Sequence, residues 1–145
     1  MAKGYRYMGH TADVEFLAYG STLEISFKNA FMALFETIAY TKKVSKSESK
    51  TRSFALKVKA KSEEELLWYA LQDAISIMGA ESLFGYKVQK LNITRTAKGY
   101  SLAAKVLAKS RTDKDSKLDI KGVSMYDLKI EKKKGRFTSR VVVDV

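Results

Sequence analysis

The chain lacks several residue types that often define sites or boundaries. It has no cysteine, no proline and a single histidine. The absence of cysteine excludes a disulfide framework, a thiol nucleophile and a cysteine zinc site. No proline-rich linker marks a domain boundary. The N-terminal MAKGYRYMGH lacks the apolar core of a signal peptide, and no run approaches the roughly 18 apolar residues of a membrane span. We therefore expect a cytoplasmic protein with no membrane partner.

Acidic residues are scarce relative to basic ones. The 145 residues include 27 Lys and Arg against 16 Asp and Glu, which gives a formal net charge of +11. This surplus suits an acidic partner such as RNA, an anionic protein or a membrane surface. It also suits high solubility or a high growth temperature. With 46% hydrophobic residues, the chain has enough apolar surface for one globular domain spanning residues 1–145.

Hydrophobic alternation predicts a chain rich in strands, especially in its second half. The predicted strands cover residues 5–8, 14–19, 52–60, 86–95, 100–108, 120–131 and 136–144. The segments KG at 98–99 and KKKG at 132–135 are typical of tight connections between antiparallel strands. Residues 41–51 are polar and without a pattern, which predicts a loop.

Helical spacing of apolar residues predicts two helices before these later strands. Each begins at a capping box, Ser21 with Glu24 and Ser62 with Glu65. The first helix is predicted over 22–39, and Gly79 is a suitable end for the second. This order of elements predicts an α+β fold, a two-layer sandwich in which a mostly antiparallel sheet carries two helices on one face.

Acidic groups occur at the ends of two apolar strands near the chain termini. The segment GYRYMGHTADVEF contains His10 and Asp13, and the C-terminal RVVVDV carries Asp144 and the α-carboxylate of Val145. If the last strand lies beside the N-terminal one, Asp13, Asp144 and the Val145 carboxylate converge and repel one another. A hard divalent cation such as Ca²⁺, Mg²⁺ or Mn²⁺ resolves that repulsion.

Other roles remain open for these residues. His10 suits either a metal ligand or a hydrogen-bonded structural side chain. A frayed terminus would leave Asp144 as a surface acid. Asp13 and Asp144 could also form a general acid and base pair. The sequence has no nucleophile beside a base, no glycine-rich phosphate loop and no HExxH helix, which lowers the support for an enzyme.

A basic tract at residues 42–61 carries eight Lys and Arg against one acidic residue, Glu48. A phosphate-binding stripe needs only such charge and no particular motif. A solvated loop and strand face would have the same composition. No RRM signature and no KH-type GxxG loop is present in a suitable position, so sequence-specific RNA recognition is not supported.

Several segments together resemble a known protein family. These are GHTADVEF near the start, VVVDV at the end, LEISFKNAFMALFE at 23–36, EELLWYALQDA at 64–74 and IKGVSMYDLKIE at 120–131. In these segments the chain resembles the archeases, small proteins that assist RtcB-family, GTP-dependent RNA ligases in tRNA splicing and RNA repair. The resemblance implies a non-catalytic activator that promotes guanylylation and multiple turnover of the ligase, with tRNA as a direct or indirect partner.

The resemblance also implies a set of site residues. The family's metal ligands correspond to Asp13, Asp144 and Val145, and the implied cofactor is a divalent cation, foremost Ca²⁺. Lys121 is a further candidate for contact with the ligase or a phosphate. The family usually has a histidine where this chain has Tyr126. Two other functions stay open, a basic tRNA-binding chaperone or specificity factor for a tRNA-modifying enzyme, and a metal-dependent hydrolase.

Overall fold

A computed structural model of the protein describes residues 4–9 and 13–145. Its helices and strands follow the predicted order closely. In chain order they are β1 (Tyr5–Met8), β2 (Val14–Gly20), α1 (Leu23–Ile38), α2 (Thr41–Lys46), β3 (Arg52–Ala60), α3 (Glu63–Ala80), β4 (Leu83–Thr96), β5 (Gly99–Ser110), β6 (Gly122–Val123), β7 (Lys129–Lys133) and β8 (Arg136–Asp144).

The strands form two antiparallel sheets. A five-stranded sheet has the order β1-β2-β8-β6, with β7 also paired to β8, and a three-stranded sheet has the order β3-β5-β4. The α+β class with antiparallel pairing is confirmed, and the strands are divided between two sheets where a single sheet was expected. Helices α1 and α3 contact strands of both sheets. One hydrophobic core therefore joins the two sheets through the helices.

The helix starts are explained by their caps. The Ser62 hydroxyl accepts a hydrogen bond from the Glu65 amide at 3.1 Å, as the second capping box predicts. At α1 the cap is Thr22, whose hydroxyl accepts from the Ile25 amide at 3.1 Å, so the prediction of Ser21 was wrong by one residue. A capping hydroxyl needs only the backbone amide of the residue three positions further along the chain. Ile25 supplies that amide to Thr22 although it is not the Glu or Gln of a capping box.

Two predicted segments differ from the structure. The loop predicted at 41–51 contains the short helix α2, which buries Val44. The strand predicted at 120–131 is interrupted between β6 and β7 by a turn in which the Ser124 hydroxyl donates to the Asp127 carboxylate at 2.9 Å. Alternation alone did not reveal this interruption, because apolar residues continue through the turn at Met125 and Leu128.

The tight connections occur where they were predicted. Lys134 and Gly135 join β7 to β8 with φ angles of 53° and 74°, the backbone of a type I′ hairpin turn. Gly99 opens β5 with φ 136°, where a Cβ atom would also lie 2.4 Å from the Ala60 carbonyl oxygen. No helix within the described ranges is long and apolar enough to cross a membrane.

Helix α1 is fixed to the centre of the five-stranded sheet. Its phenylalanines Phe27, Phe31 and Phe35 are buried in the hydrophobic core. The buried Ser26 hydroxyl donates to the Ala18 carbonyl at 2.9 Å and lies 2.8 Å from the Ser139 hydroxyl. These polar contacts connect α1 to both β2 and β8, the strands at whose ends Asp13 and Asp144 lie.

Candidate metal centre

The register of β2 and β8 places the acidic residues near the two chain termini at the same end of these two neighbouring strands. Val14 pairs with Val143 in an antiparallel ladder. Continuing that ladder by one residue sets Asp13 opposite Asp144, with Val145 next along the chain. From the sequence we predicted that the acidic groups converge if the terminal strand lies beside an N-terminal one. That pairing of strands is confirmed.

Asp13 and Asp144 have no basic partner among the described residues, whereas the nearby buried acid Glu15 has one. Glu15 is only 4% exposed, and its carboxylate forms an ion pair with Arg140. Asp13 is half-buried and Asp144 is exposed. Neither aspartate carboxylate has a hydrogen bond or ion pair with another residue in the described part of the chain.

Asp13 lines a shallow depression of ≈ 350 Å³ together with residues from β1 and the end of α1. Within this depression Glu36 is compensated by Lys117, whose ammonium lies 3.6 Å from its carboxylate. The Tyr7 hydroxyl donates to the Ala33 carbonyl at 2.7 Å. Burial raises the pKa of Tyr7 to about 12, so its phenol remains protonated as a donor at neutral pH.

The chain end is held by β6 and by two side chains of α3. The Lys121 amide donates to the Asp144 carbonyl at 2.8 Å, and Gly122 pairs with Asp144. The other edge of β6 is closed by α3 side chains one turn apart. Trp68 Nε1 donates to the Val123 carbonyl at 2.7 Å, and the Val123 amide donates to Gln72 Oε1 at 2.7 Å.

This arrangement places Lys121 beside Asp144 through its backbone, while its side chain is exposed. Sequence reasoning missed Trp68 and Gln72. Their spacing of four residues puts them on one helix face, but nothing in the sequence identifies the partner strand.

An exposed turn lies next to the chain end. The Ser124 amide donates to the Val142 carbonyl at 2.9 Å, so the turn begins directly beside β8. At its tip Tyr126 is 92% exposed and Met125 is 41% exposed. Exposed tyrosine and methionine are enriched at protein interfaces, so this turn is a candidate contact surface close to Asp144.

The predicted donor set suits a hard divalent cation. Among the residues that the structure describes, no three His, Asp or Glu side chains are grouped so that they could hold a metal ion. The predicted set has only two such side chains, Asp13 and Asp144, and takes its third carboxylate from the main chain of Val145. Three oxygen-donor carboxylates at an open edge, with water completing the shell, fit Ca²⁺, Mg²⁺ or Mn²⁺. His10 lies outside the described residues.

Comparison with known proteins identifies the family. Residues 5–145 match the model of the Archease protein family. The chain belongs to the archease family. It is 31% identical to the archease of Pyrococcus abyssi over 146 residues, which covers 99% of both chains. It is 32% identical to that of Methanosarcina mazei over 145 residues, which covers 99% of this chain and 97% of the relative.

Solved structures show the same fold. The solution structure of Methanobacterium thermoautotrophicum protein 1598 matches with a TM-score of 0.81 and 25% identity, over 99% of this chain and all (100%) of the other. The crystal structure of a Thermotoga maritima archease, described as a possible chaperone, matches with a TM-score of 0.64 over 95% of this chain and 94% of the other. At 19% identity this second likeness concerns the fold alone.

Proposed function

We propose that this archease is a non-catalytic activator of an RtcB-family, GTP-dependent RNA ligase in tRNA splicing and RNA repair. The ligase supplies the covalent chemistry, and the activator promotes its guanylylation and repeated turnover. The observation that carries the proposal is the pairing of β2 with β8 in the register that sets Asp13 opposite Asp144. Membership of the family supports the same function.

In this proposal Asp13, Asp144 and the Val145 carboxylate hold a divalent cation, foremost Ca²⁺. When bound, such a cation would compensate the charge of the carboxylates and of nearby phosphate oxygens. The chain's own contribution is positional. Lys121 and Gly122 fix the backbone of Asp144, and α3 fixes β6 through Trp68 and Gln72.

The exposed turn supports a protein partner at this end. Tyr126 and Met125 present apolar surface next to β8, whereas Asp144 and Lys121 present charge. A protein that binds the turn would bring its own active site close to the carboxylates. Because Tyr126 stands where the family usually has a histidine, we assign it contact with the partner and no acid or base role.

The test is the guanylylation of a cognate RtcB-family ligase by GTP, with this protein at substoichiometric concentration. Wild-type protein should stimulate both guanylylation and multiple turnover. D144N and D13N keep the side-chain volume and remove one charged ligand. Loss of a ligand should weaken metal binding by about tenfold or more, by analogy with the 10–100-fold cost of removing a supporting side chain, and stimulation at limiting cation should fall accordingly.

The matched control is E131Q, which removes an exposed carboxylate from β7 in the same sheet. It should stimulate the ligase as wild type does. Full stimulation by D144N and D13N would refute the metal-centre account. No stimulation by wild-type protein would favour a second candidate, a basic tRNA-binding chaperone or specificity factor for a tRNA-modifying enzyme, for which the lysine-rich face of the three-stranded sheet is the supporting observation.

A further inference from the structure

The charged side chains in the three-stranded sheet are all basic. Its strands β3, β4 and β5 contain no Asp or Glu at all. They carry Lys or Arg at Arg52, Lys57, Lys59, Lys87, Lys90, Arg95, Lys105 and Lys109. One face of the sheet packs its apolar side chains into the core, as Leu56 and Val106 show. The opposite face, here called the outer face, is largely exposed.

Five lysines form a diagonal band across the outer face. From one corner to the other the lysine band consists of Lys59, Lys57, Lys105, Lys90 and Lys87, all exposed. The pairing fixes its course: Lys57 lies opposite Ala103, Lys105 opposite Lys90, and Lys87 opposite Leu107. Strand spacings of about 4.8 Å and rises of about 3.3 Å per residue give the band a length of roughly 20 Å.

Irregularities in β4 bring two of these lysines to the same face. The pairing of β4 shifts between Val88 and Lys90, which leaves Gln89 as an extra residue. In a regular strand Lys87 and Lys90 would point to opposite faces, since side chains alternate. With the bulge, both lie on the outer face while Val88 stays buried between them in sequence. A bulge that redirects a side chain is a typical device beside functional surfaces.

The lysine band carries uncompensated charge. Lys90 and Lys105 lie directly opposite each other, and like charges in that arrangement destabilise a sheet. None of the five lysines has a hydrogen bond or ion pair with any residue in 4–9 or 13–145. A bound anion would relieve this repulsion.

The rest of the outer face restricts the kind of anion. Between the lysines the side chains are small or polar: Ser53, Ala55, Asn92, Thr94, Ser101 and Ala103, with the half-buried Leu107. Protein interfaces are enriched in aromatic residues, methionine and arginine and depleted in lysine, so the composition disfavours a protein partner. Unpaired bases stack on aromatic rings, and none of these positions holds one. The nearby Tyr86 is half-buried, with the Lys109 ammonium 5.6 Å from its ring centroid. The composition therefore disfavours single-stranded nucleic acid. A flat lysine surface suits the phosphates of a duplex, which need charge without stacking.

We infer that the lysine band binds the phosphate backbone of a double-helical RNA segment, without reading its sequence. A depression of ≈ 380 Å³ at one end of the band, between Lys57, Lys59, Asn92 and Thr94, would accept phosphate groups. The choice of RNA over another duplex polyanion rests on the proposed function, because the partner ligase acts on RNA. The band would hold the helical part of the substrate while the chain end contacts the ligase.

The first experiment measures binding of the purified full-length protein to a 20-base-pair RNA duplex by fluorescence anisotropy over a salt series. The test variant combines K57Q, K90Q and K105Q. The control variant combines K129Q, K133Q and K134Q, which removes three exposed lysines from β7 and its hairpin turn in the other sheet. Both triple variants have the same net charge, so they separate position from overall charge.

We expect the test variant to bind the duplex at least tenfold more weakly at moderate salt than the control variant. Removing one lysine–phosphate interaction should reduce the slope of log K against log salt by about 1, so the slope for the test variant should fall by up to about 3. A single strand of the same length should bind wild-type protein more weakly than the duplex. Equally weakened binding in both triple variants, or no duplex binding by wild type, would overturn the inference. Tighter binding of a poly-glutamate peptide than of the duplex would also overturn it, in favour of an acidic protein.

A second experiment separates this inference from the proposed function. Guanylylation of the ligase by GTP needs no RNA, so the test variant should stimulate it as wild type does. Stimulation of RNA ligation at low RNA concentration should fall in the test variant alone. If wild-type protein does not stimulate guanylylation but binds duplex RNA through the band, the proposed function fails and the RNA-binding surface stands.

Discussion

Two regions of this protein gather charges of one sign, and they do so on different supports. At the chain end the acidic groups are few and sit where β6, β8 and α3 fix the backbone by hydrogen bonds. On the outer face of the three-stranded sheet the basic groups are spread over about 20 Å at the tips of long side chains. A small cation needs a few ligands in defined positions, whereas a polyanion needs only charge along its length. The difference in support therefore matches the two ligands that we propose, a small cation at the chain end and a polyanion on the outer face.

The largest expected effect in solution comes from the chain terminus. Deleting Val145 moves the terminal carboxylate onto Asp144 and should remove cation-dependent stabilisation without altering the sheet. For wild-type protein, a cation at a hundredfold its Kd should raise the free energy of unfolding by about 2.7 kcal/mol. Thermal unfolding with Ca²⁺, Mg²⁺ or Mn²⁺ against a chelator measures this difference. The control V145A keeps the carboxylate in place and should retain the stabilisation; equal responses from the deletion and wild type would contradict the assignment.

A smaller effect tests whether α3 holds the chain end. The substitution Q72L removes the acceptor of the Val123 amide, and an unsatisfied buried donor costs about 1–3 kcal/mol. Urea denaturation should show this loss. The control Q72E keeps an acceptor oxygen of the same reach and should lose much less stability. Similar losses in the two variants would mean that packing of Gln72, and not its hydrogen bond, supports β6.

The smallest effect has the opposite sign and belongs to the lysine band. K90Q removes the like-charge pair with Lys105 and should stabilise the protein by about 0.2–1 kcal/mol. Because the repulsion is exposed, the gain should disappear at high salt. The control K87Q removes a lysine that lies opposite Leu107 and should change stability less. A stability loss in K90Q at low salt would show that the band is not under repulsion.

Local features of the fold could be predicted from sequence because their signals are local. The helical stripe predicted at 22–39 corresponds to α1, and β1, β3 and β8 occupy the ranges that alternation gave them. The one-residue error at the first cap arose because Ser21 and Thr22 are both suitable hydroxyls. Helix α2 was missed because a single buried apolar residue, Val44, gives no period to detect.

The arrangement of strands could not be predicted in the same way. Alternation identifies which residues form strands but not which strands pair, and so it did not show the division into two sheets. The pairing of β2 with β8 joins residues 14–20 to residues 137–143, and α1 contacts both strands through Ser26. From the sequence, Asp13 and Asp144 could therefore be predicted to meet only if β2 pairs with β8. The bound cation stays a prediction.

The lysine band could not be predicted from the sequence, because residue alternation does not reveal the bulge in β4. The sequence identified a basic tract at 42–61, and the structure distributes that tract over α2, the connecting residues 47–51, β3 and Lys61. Only Lys57 and Lys59 of the tract belong to the band, while Lys87, Lys90 and Lys105 come from later strands. The bulge at Gln89 leaves no unambiguous signature in the sequence, and without it the faces of β4 are assigned wrongly.

The pairing of the two chain ends also has a consequence for the order of folding. Strands β4 and β5 form a hairpin between neighbours in sequence, whereas β2 and β8 close a loop of nearly the whole chain. Long loop closure is slow because its entropy is lost before the contacts form. We expect the three-stranded sheet to gain protection first in pulse-labelled hydrogen exchange, and the β2–β8 ladder last. Simultaneous protection of both would show that they fold as one unit. A folding chain would then present the basic surface proposed for RNA before it assembles the acidic site proposed to act on the ligase.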